Sequence, residues 1–367
     1  MTRRFALAGL LLALGLCAAS VPPARAVGSG LPARLTDQQF WQLTESLSEP
    51  GGTFHSDNFV SNEAQYQFII PDLLKRTRPG GLYIGVGPEQ NFTYIGAMRP
   101  RMAFIIDLRR GNLHEHLLYK ALMEMSADRA EFLARLFSRE RPPGLDATTR
   151  VEALFAAYED VPATEARYRE NLAAVLDWLE RRHGFALRRG DAEGIDYVYR
   201  NAFFNDGPEL GYALSGRGRI GSPVYGDLMA LDDGQGTQRS YLASEATFAF
   251  LKDLQSRNLI VPVVGDFGGP KALRGIGRYV RAQGATVAAF YLSNVEQYLR
   301  GSSRVAFCAN VATLPLDDTS TFIRSLRGGR NAGGSLFESS LGDMRTEMRT
   351  CVSNGDRLHP GFVRLTR

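Results

Sequence analysis

The most informative stretch of this sequence is Gly80–Leu108, which reads GGLYIGVGPEQNFTYIGAMRPRMAFIIDL. Leu82–Val86 is short, apolar and bounded by glycine, as is typical of a strand buried in a parallel sheet. Ala103–Ile106 is a second apolar run of the same kind, and the residues between the two runs are sufficient for a short helix. The succession of strand, helix and strand predicts an α/β fold with a mostly parallel sheet.

Two glycines and an acid indicate where this unit could hold a ligand. Gly85 and Gly87 follow the first strand, and their missing Cβ atoms permit unusual backbone angles and close approach of a ligand. Asp107 stands 22 positions after Gly85, near the spacing of about 20 at which an acid of nucleotide-binding folds reaches a ribose hydroxyl. The alternative is that the glycines only form a tight turn and that Asp107 only caps the next helix.

A second unit of this kind lies downstream. Leu259–Phe267 and Thr286–Leu292 are predicted strands, and Pro270–Gln283 is a predicted helix between them. Ligands of open parallel sheets bind at the carboxyl ends of the strands. We therefore expect Asp266 and the pair Ser293-Asn294 to lie beside the two glycines and the acid of the first unit. Capping of the following helix is the alternative role of Asp266.

A polar, turn-rich segment, Phe54–Glu63, precedes the first predicted strand. A polar loop ahead of a ligand-binding strand often folds over the ligand, which makes several of its side chains candidates for binding. The alternative is that they cap helices, because Asp, Asn and Ser accept hydrogen bonds from free amides at helix starts. The candidates are His55, Ser56, Asp57, Asn58 and Glu63.

The first residues have the pattern of a secretory signal peptide. Thr2-Arg3-Arg4 is basic, Phe5–Ser20 is apolar, and Ala24-Arg25-Ala26 presents small residues at the positions that a signal peptidase reads. The apolar run is shorter than the roughly 20 residues of a membrane-spanning helix. We expect cleavage near Ala26 and a periplasmic or secreted protein without a transmembrane segment in its mature chain.

The charge balance gives no support for a nucleic-acid partner. The full chain has 43 Lys and Arg against 39 Asp and Glu, a net charge of +4. Loss of three arginines with the signal leaves 40 against 39, a net charge of +1. Nucleic-acid-binding domains carry a clustered basic face, so we expect no nucleic-acid partner. The glycines and acids at the strand ends indicate a small-molecule ligand.

Two neighbouring histidines are candidates for a metal site, but their spacing argues against one. His114 and His116 begin a predicted helix over Asn112–Met125. Residues two apart on a helix point in different directions, whereas zinc motifs on helices place ligands four apart. We therefore predict no metal site, with both histidines as surface groups at a helix start.

Two cysteines remain once Cys17 leaves with the signal. Cys308 and Cys351 are an even pair, and an exported protein favours disulfides. A bond between them would contribute about 3–4 kcal/mol on the chain-entropy model. Cys308 lies in an apolar, strand-like run, Arg304–Val311, and the alternative is two buried free thiols.

The chain divides into four predicted parts. Residues 1–26 are the signal peptide, and residues 27–138 are the first half of a Rossmann-like domain. A Pro/Gly break opens a mostly helical insertion at residues 139–194. Strand character resumes at Ile195–Phe204, and residues 195–367 form the second half of the Rossmann-like domain.

These motifs together carry a family resemblance. The stretch from Gly80 onward, with FHSDNFVSNE ahead of it and VVGDFGGPKALRGIGRYVRAQGATVAAFYLSNVEQYL behind it, resembles an uncharacterised bacterial family first described from a leptospiral protein. Its members look like class I S-adenosylmethionine-dependent methyltransferases in fold. The resemblance extends from roughly Phe40 to Leu299 and implies that S-adenosylmethionine is a candidate cofactor.

The resemblance also implies roles for individual residues. Gly85 and Gly87 match the first two glycines of the cofactor loop, and Asp107 matches the acid that holds the ribose. Gly265-Asp266-Phe267 lies where the catalytic loop after the fourth strand is expected, and Asp266 or Asn58 would orient the methyl acceptor.

The sequence departs from the methyltransferase pattern at three places. Tyr83 stands where an acid is usual, and Glu89 stands where a third glycine is expected. The Glu89 carboxylate would suit the ammonium of the methionine moiety and not its carboxylate. The loop of Asp266 lacks the Asn/Asp-Pro-Pro-aromatic signature of amino-group methylation.

The sequence leaves open whether the protein is an enzyme. S-adenosylmethionine is made in the cytoplasm, where an exported protein would not meet it. Our leading hypothesis is an exported protein with a methyltransferase-like Rossmann fold that binds S-adenosylmethionine or another nucleoside-like molecule. The competing hypothesis is a non-catalytic envelope or binding protein that retains the fold.

Overall fold

The computed structural model describes residues 30–214, 218–327 and 337–354. The predicted signal peptide lies outside these residues. The strands are β1 (Leu82–Gly85), β2 (Met102–Asp107), β3 (Gly211–Leu214), β4 (Gly218–Val224), β5 (Ile260–Val264), β6 (Val287–Ser293), β7 (Thr321–Arg327) and β8 (Phe337–Asp343). The helices are α1 (Asp37–Leu47), α2 (Ile70–Arg76), α3 (Gln90–Met98), α4 (Arg110–Met125), α5 (Arg129–Leu136), α6 (Val151–Glu159), α7 (Glu165–Asp177), α8 (Asp191–Val198), α9 (Tyr225–Ala230), α10 (Glu245–Ser256), α11 (Ala272–Ala282), α12 (Ser302–Val311) and α13 (Met344–Asn354).

Six strands form one sheet in the order β5-β2-β1-β6-β7-β8. All neighbours are parallel except β8, which runs antiparallel to β7. Every residue of β1 and β2 is buried, as expected of strands covered on both faces. The edge position of β5 suits Pro262, which has no N–H to donate to a further strand. The predicted Rossmann-like α/β fold is confirmed.

The predicted strand at Ile195–Phe204 is wrong. Ile195–Phe204 is helical: α8 occupies its first half, and π-helical turns continue over Tyr199–Phe204. The buried residues recur at helical and not alternating spacing, since they are Ile195, Val198, Tyr199, Ala202 and Phe203.

This correction changes the count of strands. In chain order the sheet receives β1, β2, β5, β6 and β7 as its parallel strands, so β5 is the third and β6 the fourth. Asp266 therefore follows the third strand and not the fourth. Ser293 and Asn294 stand at the end of the fourth.

Helix α4 is enclosed by other elements. Every residue from Asn112 to Met123 is buried, because α8, α10 and β5 all pack against this helix. His114 and His116 are 7% and 2% exposed, so their prediction as surface groups is wrong.

The two cysteines lie at bonding distance. Cys308 and Cys351 pair with a Cα–Cα separation of 5.7 Å, which is normal for a disulfide. Their bond joins α12 to α13. The predicted strand around Cys308 is wrong, because Phe307, Cys308 and Val311 are the buried positions of one face of α12.

The region of the predicted insertion, residues 139–194, contains α6, α7 and the start of α8. Its division from the rest of the chain stays a prediction. Within the described ranges, no helix combines the length and the apolar character needed to cross a membrane.

Candidate functional site

A cavity of about 490 Å³ lies over the carboxyl ends of four parallel strands. Residues at or just after the ends of β1, β2, β5 and β6 line it, among them Gly87, Asp107, Asp266 and Ser293. The strand order reverses between β1 and β6. On one side of β1 lie β2 and β5, and on its other side lie β6 and β7. This is the crevice where open α/β sheets hold ligands.

Asp107 lies in the cavity wall as a member of an ion pair. Its Oδ1 accepts hydrogen bonds from the backbone N (2.8 Å) and the Nε (3.1 Å) of Arg109. Its Oδ2 accepts a hydrogen bond from the Arg109 Nη2 at 3.1 Å. Arg109 also donates to the backbone oxygen of Asp57 in the polar loop. The acid thus reaches the expected place, but a cation of the chain engages both of its oxygens.

The loop of residues 85–88, called the glycine loop below, is stabilised by three hydrogen bonds from the Asn91 side chain. The Asn91 Nδ2 donates to the carbonyls of Val86 (2.9 Å), Gly87 (3.2 Å) and Pro88 (2.8 Å). A Cβ at Gly85 would collide with the Asn91 side chain. Gly85 therefore makes room for a side chain of the protein, and it does not line the cavity.

Gly87 and Asn58 form the part of the loop that faces the cavity. Both line it, and both have positive φ angles, 79° and 53°. The Asn58 Nδ2 lies 3.3 Å from the place of a Cβ on Gly87. A side chain at position 87 would be strained in its backbone and would also crowd Asn58.

Glu89 lies outside the cavity lining and is fully buried. Its Oε1 accepts a long hydrogen bond from Ser61 N at 3.4 Å, and its Oε2 has no partner among the described residues. Burial raises the pKa of Glu89 to about 8. The carboxyl is therefore mainly protonated at neutral pH.

Glu115 and His116 lie behind the same loop on α4. The His116 Nε2 contacts the Gly87 carbonyl oxygen at 2.9 Å, and burial lowers the pKa of this imidazole to about 4. The neutral ring then donates its Nε2–H to Gly87. Burial, with the Glu89 carboxyl adding to it, raises the pKa of Glu115 well above its ordinary value. Neither Glu115 oxygen has a hydrogen-bond partner in the described part of the chain.

Glu63 projects its carboxyl into the wall of the cavity. Tyr291 and Ser293, on one face of β6, donate to its Oε1 at 2.8 and 2.5 Å. Gln90, the first residue of α3, donates to its Oε2 at 2.9 Å. The register of β6 against β7 shifts between Tyr291 and Ser293, and Ser293 has a φ of 49°. Such an irregularity re-aims side chains at a strand end.

Asp266 occupies the turn after β5 and lines the cavity. Its Oδ1 accepts from the backbone N of Gly268 at 2.8 Å. The start of α11 is capped instead by Glu49, whose Oε1 accepts from the backbone N atoms of Lys271 (2.7 Å) and Ala272 (2.8 Å). Asp266 thus stabilises its own turn and is not the cap of the helix.

Aromatic rings lie at one side of the cavity. Phe54 and His55 from the polar loop meet Tyr298 after β6, with ring centroids 5.2 and 5.9 Å from that of Tyr298. Tyr298 is 49% exposed. These rings offer flat apolar faces to a ligand that enters from solvent.

The structure brings together four of the six predicted site residues, Asn58, Gly87, Asp107 and Asp266. Gly85 and Glu89 do not line the cavity. Sequence reasoning missed Arg109, Gln90 and Tyr291. Of these three, only Arg109 has a position in the sequence that indicates a role in the site, since it stands two residues after the acid at the end of a predicted strand.

Among the described residues, the charged groups that line this cavity are three carboxyls, of Glu63, Asp107 and Asp266, and the guanidinium of Arg109, together with the ring of His55. No cluster of three or more metal-binding side chains occurs within the described ranges.

A family model described as a domain of unknown function, DUF7790, matches residues 58–345. The chain belongs to this family. The matched range contains the glycine loop, Glu63, Asp107, Asp266 and the end of β6, so most of the cavity wall belongs to the family domain. No curated protein matches the chain.

Proposed function

We propose that this protein binds a small polar molecule in the cavity at the carboxyl ends of β1, β2, β5 and β6. The observation that carries the proposal is the position of the cavity at the reversal of strand order, which is the ligand site of open α/β sheets. Its volume of about 490 Å³ is within the usual range of roughly 300–1,000 Å³ for small-molecule pockets.

A nucleoside derivative is the first ligand class to test, and S-adenosylmethionine is its leading member. Asp107 follows β2 at the position of a ribose-binding acid, and Gly87 allows a ligand close to the main chain. The aromatic rings of Phe54 and Tyr298 would suit a flat base. The carboxyls of the cavity would suit hydroxyls and the positive charge of a sulfonium or ammonium group.

Methyl transfer is the reaction that the family resemblance suggests for this site. Catalysis would then rest mainly on holding donor and acceptor in line. Asn58 and Asp266 stay candidates for orienting the acceptor, since both line the cavity. Ser293 and Asn294 join them, because they follow the fourth strand of the sheet.

The alternative proposal is a binding protein without catalysis. Two observations favour it: the Asn91 side chain occupies the space beside Gly85, and Arg109 engages both oxygens of Asp107. Export, proposed from the signal pattern, agrees with this alternative, because S-adenosylmethionine is made in the cytoplasm.

Calorimetric titration of the protein with S-adenosylmethionine and S-adenosylhomocysteine tests the proposal. We expect micromolar binding that Asp107→Asn weakens at least roughly tenfold, the scale of one charge-assisted hydrogen bond. Asn retains an acceptor for the backbone N of Arg109, which limits the effect on folding. Asp72→Asn is the control, because Asp72 is exposed on α2 and does not line the cavity.

The two outcomes separate the hypotheses. Binding that depends on Asp107 supports a nucleoside site, and a methylation assay with the bound donor then follows. If neither compound binds, the S-adenosylmethionine proposal is wrong and the non-catalytic alternative is favoured.

A further inference from the structure

Glu63 and Asp107 are the two buried acids of the cavity, and of these only Asp107 has a Lys or Arg partner among the described residues. Asp266 also lacks such a partner, but it is only half-buried. Glu63 is 3% exposed, and it lines the cavity. Its partners are two hydroxyls and one amide. Among the described residues, no Lys or Arg makes a salt bridge with it, whereas Asp107 has Arg109.

The hydrogen bonds around Glu63 are complete when its carboxyl is ionised. The Gln90 Oε1 accepts from the Ser61 hydroxyl, which directs the Gln90 Nε2 toward Glu63. The hydroxyls of Tyr291 and Ser293 can then both donate to Glu63. Each of these donors has an acceptor, so no proton on Glu63 is needed to complete the network.

One acceptor position of the carboxylate remains. A carboxylate oxygen can accept about two hydrogen bonds. The Oε1 of Glu63 accepts two, from Tyr291 and Ser293, and its Oε2 accepts one, from Gln90. The Oε2 therefore retains capacity for one further donor within hydrogen-bond distance. The buried hydroxyl of Ser325 on β7 also helps to stabilise the carboxylate, but it makes no hydrogen bond with the described residues.

A buried carboxylate is costly unless an opposite charge compensates it. Burial accordingly raises the pKa of Glu63. Because the carboxyl lies in a cavity wall and the described residues supply no cation, the compensating charge can come from a ligand. A divalent metal ion fits poorly, since the described residues contain no cluster of three or more His, Cys, Asp or Glu side chains that could hold one.

We propose that Glu63 anchors an ammonium-binding subsite, so that the ligand of this cavity carries a protonated amine that donates to the Glu63 Oε2. This inference rests on the proposed function, since it requires a ligand in the cavity. It narrows the class of ligand to amines, which include S-adenosylmethionine but are not restricted to nucleosides.

Two pairs of probes test the subsite by calorimetry on the full chain. The first pair is 5′-amino-5′-deoxyadenosine and adenosine, which differ by an ammonium in place of a hydroxyl. The second pair is 1,4-diaminobutane and 1,4-butanediol, which lack the nucleoside. We expect each amine to bind roughly tenfold to hundredfold more tightly than its hydroxyl partner, as for a hydrogen bond between charged groups.

Three variants identify the side chain responsible. Glu63→Gln should remove the preference for the amine. Glu63→Asp retains the charge and should preserve the preference at reduced affinity. Ser293→Ala removes one hydrogen bond to Oε1 but leaves the carboxylate, so the amine should still bind more tightly than the alcohol.

The outcomes distinguish this inference from the broader proposal. If adenosine binds as tightly as its amino analogue, the subsite is wrong while the nucleoside site stands. If only the diamine binds, the nucleoside proposal is wrong and the subsite stands. If no probe shows an amine preference, or if the preference survives in Glu63→Gln, the inference is overturned.

Discussion

Two buried glutamates of this protein, Glu63 and Glu124, have opposite environments. Glu124, on α4, accepts from Lys120 Nζ at 2.6 Å, from Trp178 Nε1 at 2.7 Å and from His183 Nε2 at 2.6 Å. Its side chain is 4% exposed, and that of Lys120 is 1% exposed. Glu63 is similarly buried, but among the described residues its hydrogen-bond donors are hydroxyl and amide groups.

The pKa shifts of the two carboxyls follow from these surroundings. Burial alone would raise the pKa of Glu124, but the hydrogen bond from His183 and the charge of Lys120 outweigh it and lower the pKa to about 2. For Glu63 burial prevails and the pKa rises. Glu124 is thus compensated by the chain itself and has a structural role. Glu63 lacks that compensation and lies where a ligand could provide it.

The Glu124 cluster also joins distant parts of the chain. The His183 Nδ1 pairs with Asp37 at the start of α1 (2.6 Å), while Lys120 bonds Asn258 ahead of β5 (2.6 Å). These contacts connect α1, α4, the residues after α7 and the approach to the sheet. We therefore expect the cluster to hold the helical region of residues 139–194 against the sheet.

The largest expected effect is that of Glu124→Gln on folding. The substitution removes the carboxylate that pairs directly with the buried Lys120 and leaves only the more distant Asp37 as a counter-charge among the described residues. Breaking such a buried pair typically costs about 3–5 kcal/mol of the free energy of unfolding. Because the Glu124 pKa is lowered in the folded protein, its contribution is complete above the unfolded value of about 4.5 and is lost as the pH falls toward 2. Urea unfolding at pH 7 therefore measures the full effect.

Glu131→Gln is the matched control for that experiment. Glu131 pairs with Arg135 on α5, where both side chains are about 30% exposed, and such pairs contribute roughly 0–1 kcal/mol. An equal loss in both variants would show that the Glu124 cluster has no special structural role.

A smaller effect of opposite sign is expected at Glu89. The folded-state pKa of Glu89 is raised to about 8, so the unfolded chain releases this proton first as the pH rises from about 4.5. Wild-type stability should fall over this range, and Glu89→Gln should prevent that fall. We expect the variant to gain about 1–3 kcal/mol relative to wild type between pH 5 and pH 9, the scale for a buried polar group that lacks partners.

Unfolding midpoints at a series of pH values measure this gain. Glu131→Gln serves as the comparison, because the lowered pKa of Glu131 keeps it ionised above pH 5 and its partner Arg135 does not titrate in this range. If Glu89→Gln parallels wild type from pH 5 to pH 9, Glu89 is ionised in the folded protein and the raised pKa is wrong.

Four of the six strands of the sheet, β1, β2, β5 and β6, could be predicted from the sequence because each is a short apolar run. The strands β7 and β8 were not predicted, because charged and polar residues interrupt their apolar pattern. Asp107, Asp266 and Ser293 were placed correctly at strand ends for the same reason. The error at Ile195–Phe204 arose because strand and helix formers are mixed there, and tertiary packing then decides the conformation.

The cavity wall was less predictable, because its polar contacts join residues far apart in the chain. Tyr291 reads as an apolar strand residue, yet its hydroxyl meets Glu63 from 228 positions away. Gln90 reads as a helix start, yet its amide orients the same carboxyl. No local sequence pattern predicts contacts between residues so far apart. The sequence therefore identified Glu63 only as one of several candidate binding residues in the polar loop.

The smallest expected effect is that of Glu63→Gln on the stability of the ligand-free protein. Removal of the buried charge stabilises the fold, but the new amide group faces the Gln90 Nε2, and two donors cannot pair. We expect these effects to offset each other to within about 1 kcal/mol at pH 7. The stability of the variant relative to wild type should increase as the pH rises from 5. The reason is that the raised pKa of Glu63 makes its ionisation unfavourable in the folded state. Urea unfolding of Glu63→Gln beside Glu124→Gln measures both. A loss as large as that of Glu124→Gln would show that Glu63 holds the fold together, and the distinction between a structural and a ligand-binding carboxylate would then fail.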